Sequence, residues 1–118
     1  MTARPFEVRV RQQQPRVAVV ELHGEINGTA EATLNAAYAE ATSQGSVTIL
    51  LNFADVDYIN STGIALIVGL LGQARSTHLN LIACGLSEHY IEIFRITRLA
   101  DFLSVFPDEA SALKQAGG

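Results

Sequence analysis

The chain has 118 residues, a formal net charge of -4, 48% apolar and 17% charged residues, and a single cysteine. That balance excludes a disordered chain, is long enough to bury a core without staples, and carries no basic block suited to nucleic acid. Cys84 cannot close an internal disulfide, which fits a reducing compartment.

In chain order, residues 6–11 alternate apolar and polar as a half-buried strand does. Pro15 breaks the run, and residues 16–22 form a second strand, so the two read as a hairpin. Arg4, Arg9, Arg11 and Arg16 fall along these strands as solvated edges rather than as a phosphate-binding arm. Gly24 is expected to end the second strand, with residues 25–28 as a loop and Thr29 capping a helix over residues 30–43. Its apolar positions Ala30, Leu34, Ala37, Tyr38 and Ala41 recur at helical spacing, and Gly45 stops it. Residues 47–53 form a nearly continuous apolar run, as in a strand covered on both faces. A loop over residues 55–60 then leads into a second helix, about residues 61–76. Residues 80–84 are a short buried strand closed by Gly85, and Ser87 caps a third helix reaching about Thr97. Residues 101–106 read as an edge strand, and Pro107 with Asp108 and Glu109 opens a last helix. The order β-β-α-β-α-β-α-β-α implies a mostly parallel sheet of about five strands, an N-terminal antiparallel hairpin and about four helices. One α/β domain spans residues 1–118, with its core in about residues 6–115. The sequence lacks a basic-then-apolar leader, and its longest apolar run, residues 64–71, is too short to span a bilayer. A cytoplasmic whole domain, not bound to a membrane, is the expectation.

The most informative stretch is Tyr58-Ile59-Asn60-Ser61-Thr62-Gly63. It puts two hydroxyls at the first turn of the second helix, where unpaired N–H groups and the positive end of the dipole can receive an anion. A phosphoryl group on Ser61 would sit in a favourable field; equally, Asn60 or Ser61 can serve simply as an N-cap. The helix behind it is apolar on more than one face. Ile64, Ile67, Val68 and Leu71 form a stripe expected to pack on the sheet. Ala65, Leu66, Gly69 and Leu70 form another, covered by a neighbour or offered to a partner. Gly63, Gly69 and Gly72 each cost roughly 1 kcal/mol of helix propensity relative to alanine, tolerable where something approaches the backbone closely.

Other chemistry is weakly supported. His23, His78 and His89 have no metal-like spacing, so no metal or cofactor is expected. Cys84 sits in an apolar strand as a small core residue. Asp55 and Asp57 have no nearby histidine or lysine in sequence to complete a hydrolytic set, and no catalytic residue is assigned.

Gly24-Glu25-Ile26-Asn27 with Thr29-Ala30-Glu31, and Asn52-Phe53 through Tyr58-Ile59-Asn60-Ser61-Thr62-Gly63-Ile64, resemble two segments of the bacterial anti-sigma factor antagonists, the STAS domain family. Leu81 to Ser87 and Phe94 to Leu99 resemble its fourth strand and third helix, so the likeness covers about residues 6–115. The resemblance implies a non-enzymatic partner switch. The antagonist binds an anti-sigma factor that is a serine kinase, the kinase inactivates it at the serine matching Ser61, and a serine phosphatase restores it. Thr62 is the fallback acceptor. Asn27, Asn60, Ser61, Thr62, Gly63, Ile64, Leu66 and Leu70 are the expected partner-binding residues. Two positions depart from the family pattern: Asn27 and Asn60 stand where aspartates are common, which keeps capping ability but removes charge. Two other readings remain open: a STAS domain that no kinase modifies, acting as a scaffold or as a regulatory module in a larger signalling or transport complex, and a small ligand-binding or catalytic α/β domain using the surroundings of Ser61.

Overall fold

In the computed structural model, which describes residues 4–117, the chain forms five strands and four α-helices. β1 (Glu7–Gln14) and β2 (Val17–Ile26) form an antiparallel hairpin, and β3 (Thr48–Ile59), β4 (Asn80–Cys84) and β5 (Ser104–Phe106) follow in parallel, giving a mixed sheet of order β1-β2-β3-β4-β5. Each crossover helix steps the chain one strand further in the same direction. Right-handed crossovers that all step the same way put their helices on the same face. Accordingly α1 (Glu31–Ser43), α2 (Ser61–Ser76) and α3 (Glu88–Ile96) share the main core, burying Leu34, Ile67, Leu70 and Phe94 against Val20, Leu22, Ile49 and Leu51. α4 (Glu109–Gly117) covers part of the opposite face, where Ala112 and Leu113 meet Val19, Leu50, Ile82 and Cys84. Among the described residues, no helix is long and apolar enough to cross a membrane.

Several expected boundaries move, for one physical reason. β2 does not end at Gly24 but runs on to Ile26, and β3 does not end at Phe53 but runs on to Ile59, because the two pair with each other as far as Ile26 and Ile59. Gly24 is needed inside the strand. Its φ is +87°, and a Cβ there would lie 2.3 Å from the Pro5 carbonyl oxygen. The register slips twice, leaving two extra residues on β3, and such bulges bend and twist the strand that carries them. β4, by contrast, stops pairing with β3 at Asn52, so residues 53–59 overhang it.

Thr29 does not cap α1. A 3-10 turn, Gly28–Ala30, precedes that helix, and Asn27 caps the turn by accepting from the Thr29 N–H. The edge strand shortens to Ser104–Phe106 because a second 3-10 turn takes Leu99–Asp101. The bounds of α2 and β4 and the Ser87 cap of α3 fall where the sequence placed them.

The second helix is rotated from expectation. Its buried face is Gly63, Ile67, Leu70, Leu71 and Ala74, while Val68 is 48% exposed. α2 packs on the sheet with α1 against its flank, and that shared core draws Leu70 inward.

Candidate functional site

The overhang of β3 leads directly into the first turn of α2. Asn60, the N-cap, accepts from the Gly63 N–H through Oδ1 at 2.8 Å, and its carbonyl starts the helix by accepting from Ile64 at 2.9 Å. Asn60 thus serves as the cap, and Ser61 and Thr62 are left as the first two helical residues, both exposed. Among the described residues, their backbone amides find no protein acceptor. Two free N–H groups at the positive end of a 16-residue helix can stabilise an anion seated there.

The turn is held close to the sheet. The Asn60 N–H donates to the Ile26 carbonyl at 3.1 Å, and a Cβ on Gly63 would lie 2.3 Å from that same carbonyl oxygen. Gly63 is therefore a close-approach glycine, buried beneath the turn. Gly69 and Gly72 are different: a Cβ on either would meet nothing within 4 Å. The close approach expected for all three is found at Gly63 alone. Gly28 stands beside Thr62, its would-be Cβ 3.5 Å from the Thr62 methyl, which brings the Asn27 turn against the start of α2. Asn27 uses both ends of its amide, accepting from the Thr29 N–H at 2.9 Å and donating to Glu25 at 2.5 Å. An aspartate at position 27 could not make the second bond.

A groove opens beside Ser61, between the start of α2 and α3. Tyr58, Ser61, Ile64, His89, Ile93 and Thr97 line it, with Ile59, Asn60 and Tyr90 at its base. Of the residues expected to meet a partner, Asn60, Ser61 and Ile64 face this groove, with Thr62 exposed beside them. Leu66 is half-buried against the main core. Leu70 is corrected outright: at 1% exposure it is a core residue and offers no surface. The contribution of α3 was missed. Its signal was the four-residue spacing of His89, Ile93 and Thr97, which lines up one helix face. Tyr58, 52% exposed, is the other omission.

Charges near the turn are already engaged. Arg4 reaches across the overhang to Asp55 at 3.1 Å and Asp57 at 2.7 Å, and His23 Nδ1 lies 2.7 Å from Asp55. Hydrogen bonds from Arg4 first, then His23, hold the Asp55 carboxyl down at about 2, and Arg4 lowers that of Asp57 as well. His23, unseen as a neighbour in sequence, does therefore meet Asp55, but with the aspartate tied to Arg4. Cys84 is fully buried, and burial, with Glu109 and Asp108 adding, pushes its thiol up to about 11. A thiol so protonated is a core residue rather than a nucleophile.

Comparison with known proteins gives one consistent result. The family model described as STAS domain matches residues 9–112. The Bordetella bronchiseptica protein BtrV is 31% identical over 86 residues, covering 73% of this chain and 72% of that one. The anti-sigma-B factor antagonist of Staphylococcus epidermidis is also 31% identical over 86 residues, covering 73% of this chain and 80% of its own. Among solved structures, the unphosphorylated form of the anti-sigma factor antagonist SpoIIAA superimposes with a TM-score of 0.76 at 19% identity, over 95% of this chain and 99% of that one.

Proposed function

The chain belongs to the STAS domain family, and from that membership we propose that it acts as an anti-sigma factor antagonist in a phosphorylation-controlled partner switch. It binds, in the cytoplasm, an anti-sigma factor that is also a serine kinase; Ser61 accepts the phosphoryl group, and a serine phosphatase removes it. The protein itself catalyses nothing. The observation that carries this reading is the position of Ser61, exposed at the first turn of α2 beside two unpaired amides and at the lip of a largely apolar groove. A hydroxyl there is open to a kinase. The groove lined by Tyr58, Ile64, His89, Ile93 and Thr97 supplies the contact area, with Asn60 at its base and Thr62 exposed beside it. Asn27 and the half-buried Leu66 belong to the wider contact, and the buried Gly63 serves by letting the turn approach the sheet. Once added, the phosphoryl group brings nearly two negative charges to that apolar contact. Its own helix terminus stabilises it, so the fold is kept while the partner is repelled.

The test is intact-mass analysis with site localisation on protein recovered from its native cells in growth and under stress. A phosphoryl group on Ser61 whose occupancy changes with condition is the expected result. Ser61→Asp should abolish binding of the unmodified protein's partner, and unchanged affinity would count against the switch. No modification in either state would make the chain an unmodified scaffold.

A further inference from the structure

We propose that Tyr90, on α3, is the positioning residue of the Ser61 turn: its hydroxyl replaces a missing strand partner at Ile59 and so holds the acceptor turn in place. Adjacent backbone N–H groups along a strand point to opposite sides. At the end of β3, the Asn60 N–H faces β2 and donates to the Ile26 carbonyl. The Ile59 N–H must then face the other side, where β4 would stand. β4 stopped pairing at Asn52, so no strand is there to receive it. The Tyr90 oxygen accepts from the Ile59 N–H at 2.8 Å and donates back to the Ile59 carbonyl at 3.4 Å. One side chain thus satisfies both backbone groups of the last residue of β3. Unpaired buried amides are costly, so this contact is strongly favoured over an empty one.

The consequence lies in where Ile59 sits. The next residue caps α2 and the one after is Ser61, so the position of the turn is set by β2 on one side and by Tyr90 on the other. Tyr90 also stands at the base of the groove, and its ring meets that of His89 edge-on with centroids 4.8 Å apart. A partner pressing on α3 in that groove therefore acts on the same side chain that holds Ile59. This coupling rests on the reading of Ser61 as acceptor for its meaning, but its physical content is measurable without any kinase.

Tyr38 supplies the control. It too lies on a helix and is 8% exposed, as Tyr90 is, yet its buried hydroxyl has no hydrogen-bond partner among the described residues. The neighbouring Thr77 hydroxyl donates instead to the Gln73 carbonyl at 2.9 Å. Tyr90→Phe and Tyr38→Phe thus remove the same atom, one bonded to the backbone of a strand and one not. In Tyr90→Phe, amide exchange at Ile59 should accelerate about tenfold relative to wild type. The amide resonances of Asn60, Ser61, Thr62 and Gly63 should shift, while distant amides change little. In Tyr38→Phe those four resonances should stay put. Wild-type exchange at Ile59 and unmoved resonances across residues 60–63 in Tyr90→Phe would overturn the proposal, as would equal shifts in both variants. If Tyr90→Phe does not fold, the wild-type chain decides: an Ile59 amide exchanging as fast as those of exposed loops overturns the clamp, and a protected one supports it. Phosphoryl transfer to Ser61, measured separately, should fall in Tyr90→Phe. Absence of transfer in the wild type would remove the acceptor reading and leave the amide result to judge the clamp.

Discussion

The two halves of β3 obey different rules. Residues 48–52 lie between β2 and β4, hydrogen-bonded on both edges, and Thr48, Ile49, Leu50 and Leu51 are buried on both faces. Residues 53–59 pair with β2 alone, pass through two bulges, and expose Ala54, Asp55, Asp57 and Tyr58. Backbone ladders and apolar burial hold the first half. Side chains hold much of the second: Asn52 accepts from the Ala54 N–H, Arg4 binds Asp55 and Asp57, and Tyr90 takes Ile59. The exposed turn that carries Ser61 is built where the sheet's own hydrogen bonding runs out, because there the remaining bonds can be made, or released, by individual side chains.

Breaking the inner half should be the most expensive change. Leu50→Ala removes a fully buried side chain from between Val19, Ile82 and the α4 face. It should cost about 2–5 kcal/mol in chemical denaturation. The shifts of the Ser61 turn should survive in whatever fraction stays folded. A smaller effect separates the two kinds of glycine in α2. Gly63→Ala forces a Cβ onto the Ile26 carbonyl that anchors the end of the overhang, and should destabilise by about 1–3 kcal/mol. Gly72→Ala meets open space and should stabilise by about 1 kcal/mol through helix propensity alone. Equal effects at the two positions, by thermal or chemical melting, would contradict the packing of the turn.

The smallest effect on stability belongs to Arg4, whose ion pairs are solvent-exposed. Its signature is in pH. The Asp55 carboxyl stands at about 2 in the fold, below its unfolded value of about 3.9. A depressed carboxylate adds stability above the unfolded pKa, and that contribution is lost as pH falls through the folded value. Arg4→Ala should raise the Asp55 pKa towards the ordinary range, read directly from its side-chain carbon resonance. The stability difference between the two proteins should be constant above about pH 4 and close between there and pH 2.

The places where sequence reasoning succeeded and failed follow the same division. The limits of α2 and β4, the Ser87 cap and the burial of Cys84 were legible because each depends on local propensity or on an uninterrupted apolar run. The outer half of β3 was not, since Asp55 and Asp57 are turn-forming residues by composition, and only pairing with β2 and the reach of Arg4 make them strand. Gly24 misled in the same way: it ends strands in general, and here a positive φ lets the Pro5 carbonyl approach. Leu70 was misplaced because α2 is apolar around most of its circumference, so periodicity could not say which arc would be covered.

The α/β order, the family and the Ser61-Thr62-Gly63 turn as the place to look were all readable residue by residue, because these rest on hydrophobic period, capping chemistry and a contiguous motif. Tertiary structure alone decided that Leu70 is core, that His89, Ile93 and Thr97 face Ser61, and that Tyr90 holds Ile59. Those facts depend on how helices far apart in sequence pack on one sheet, and no local pattern encodes the angle at which they do so.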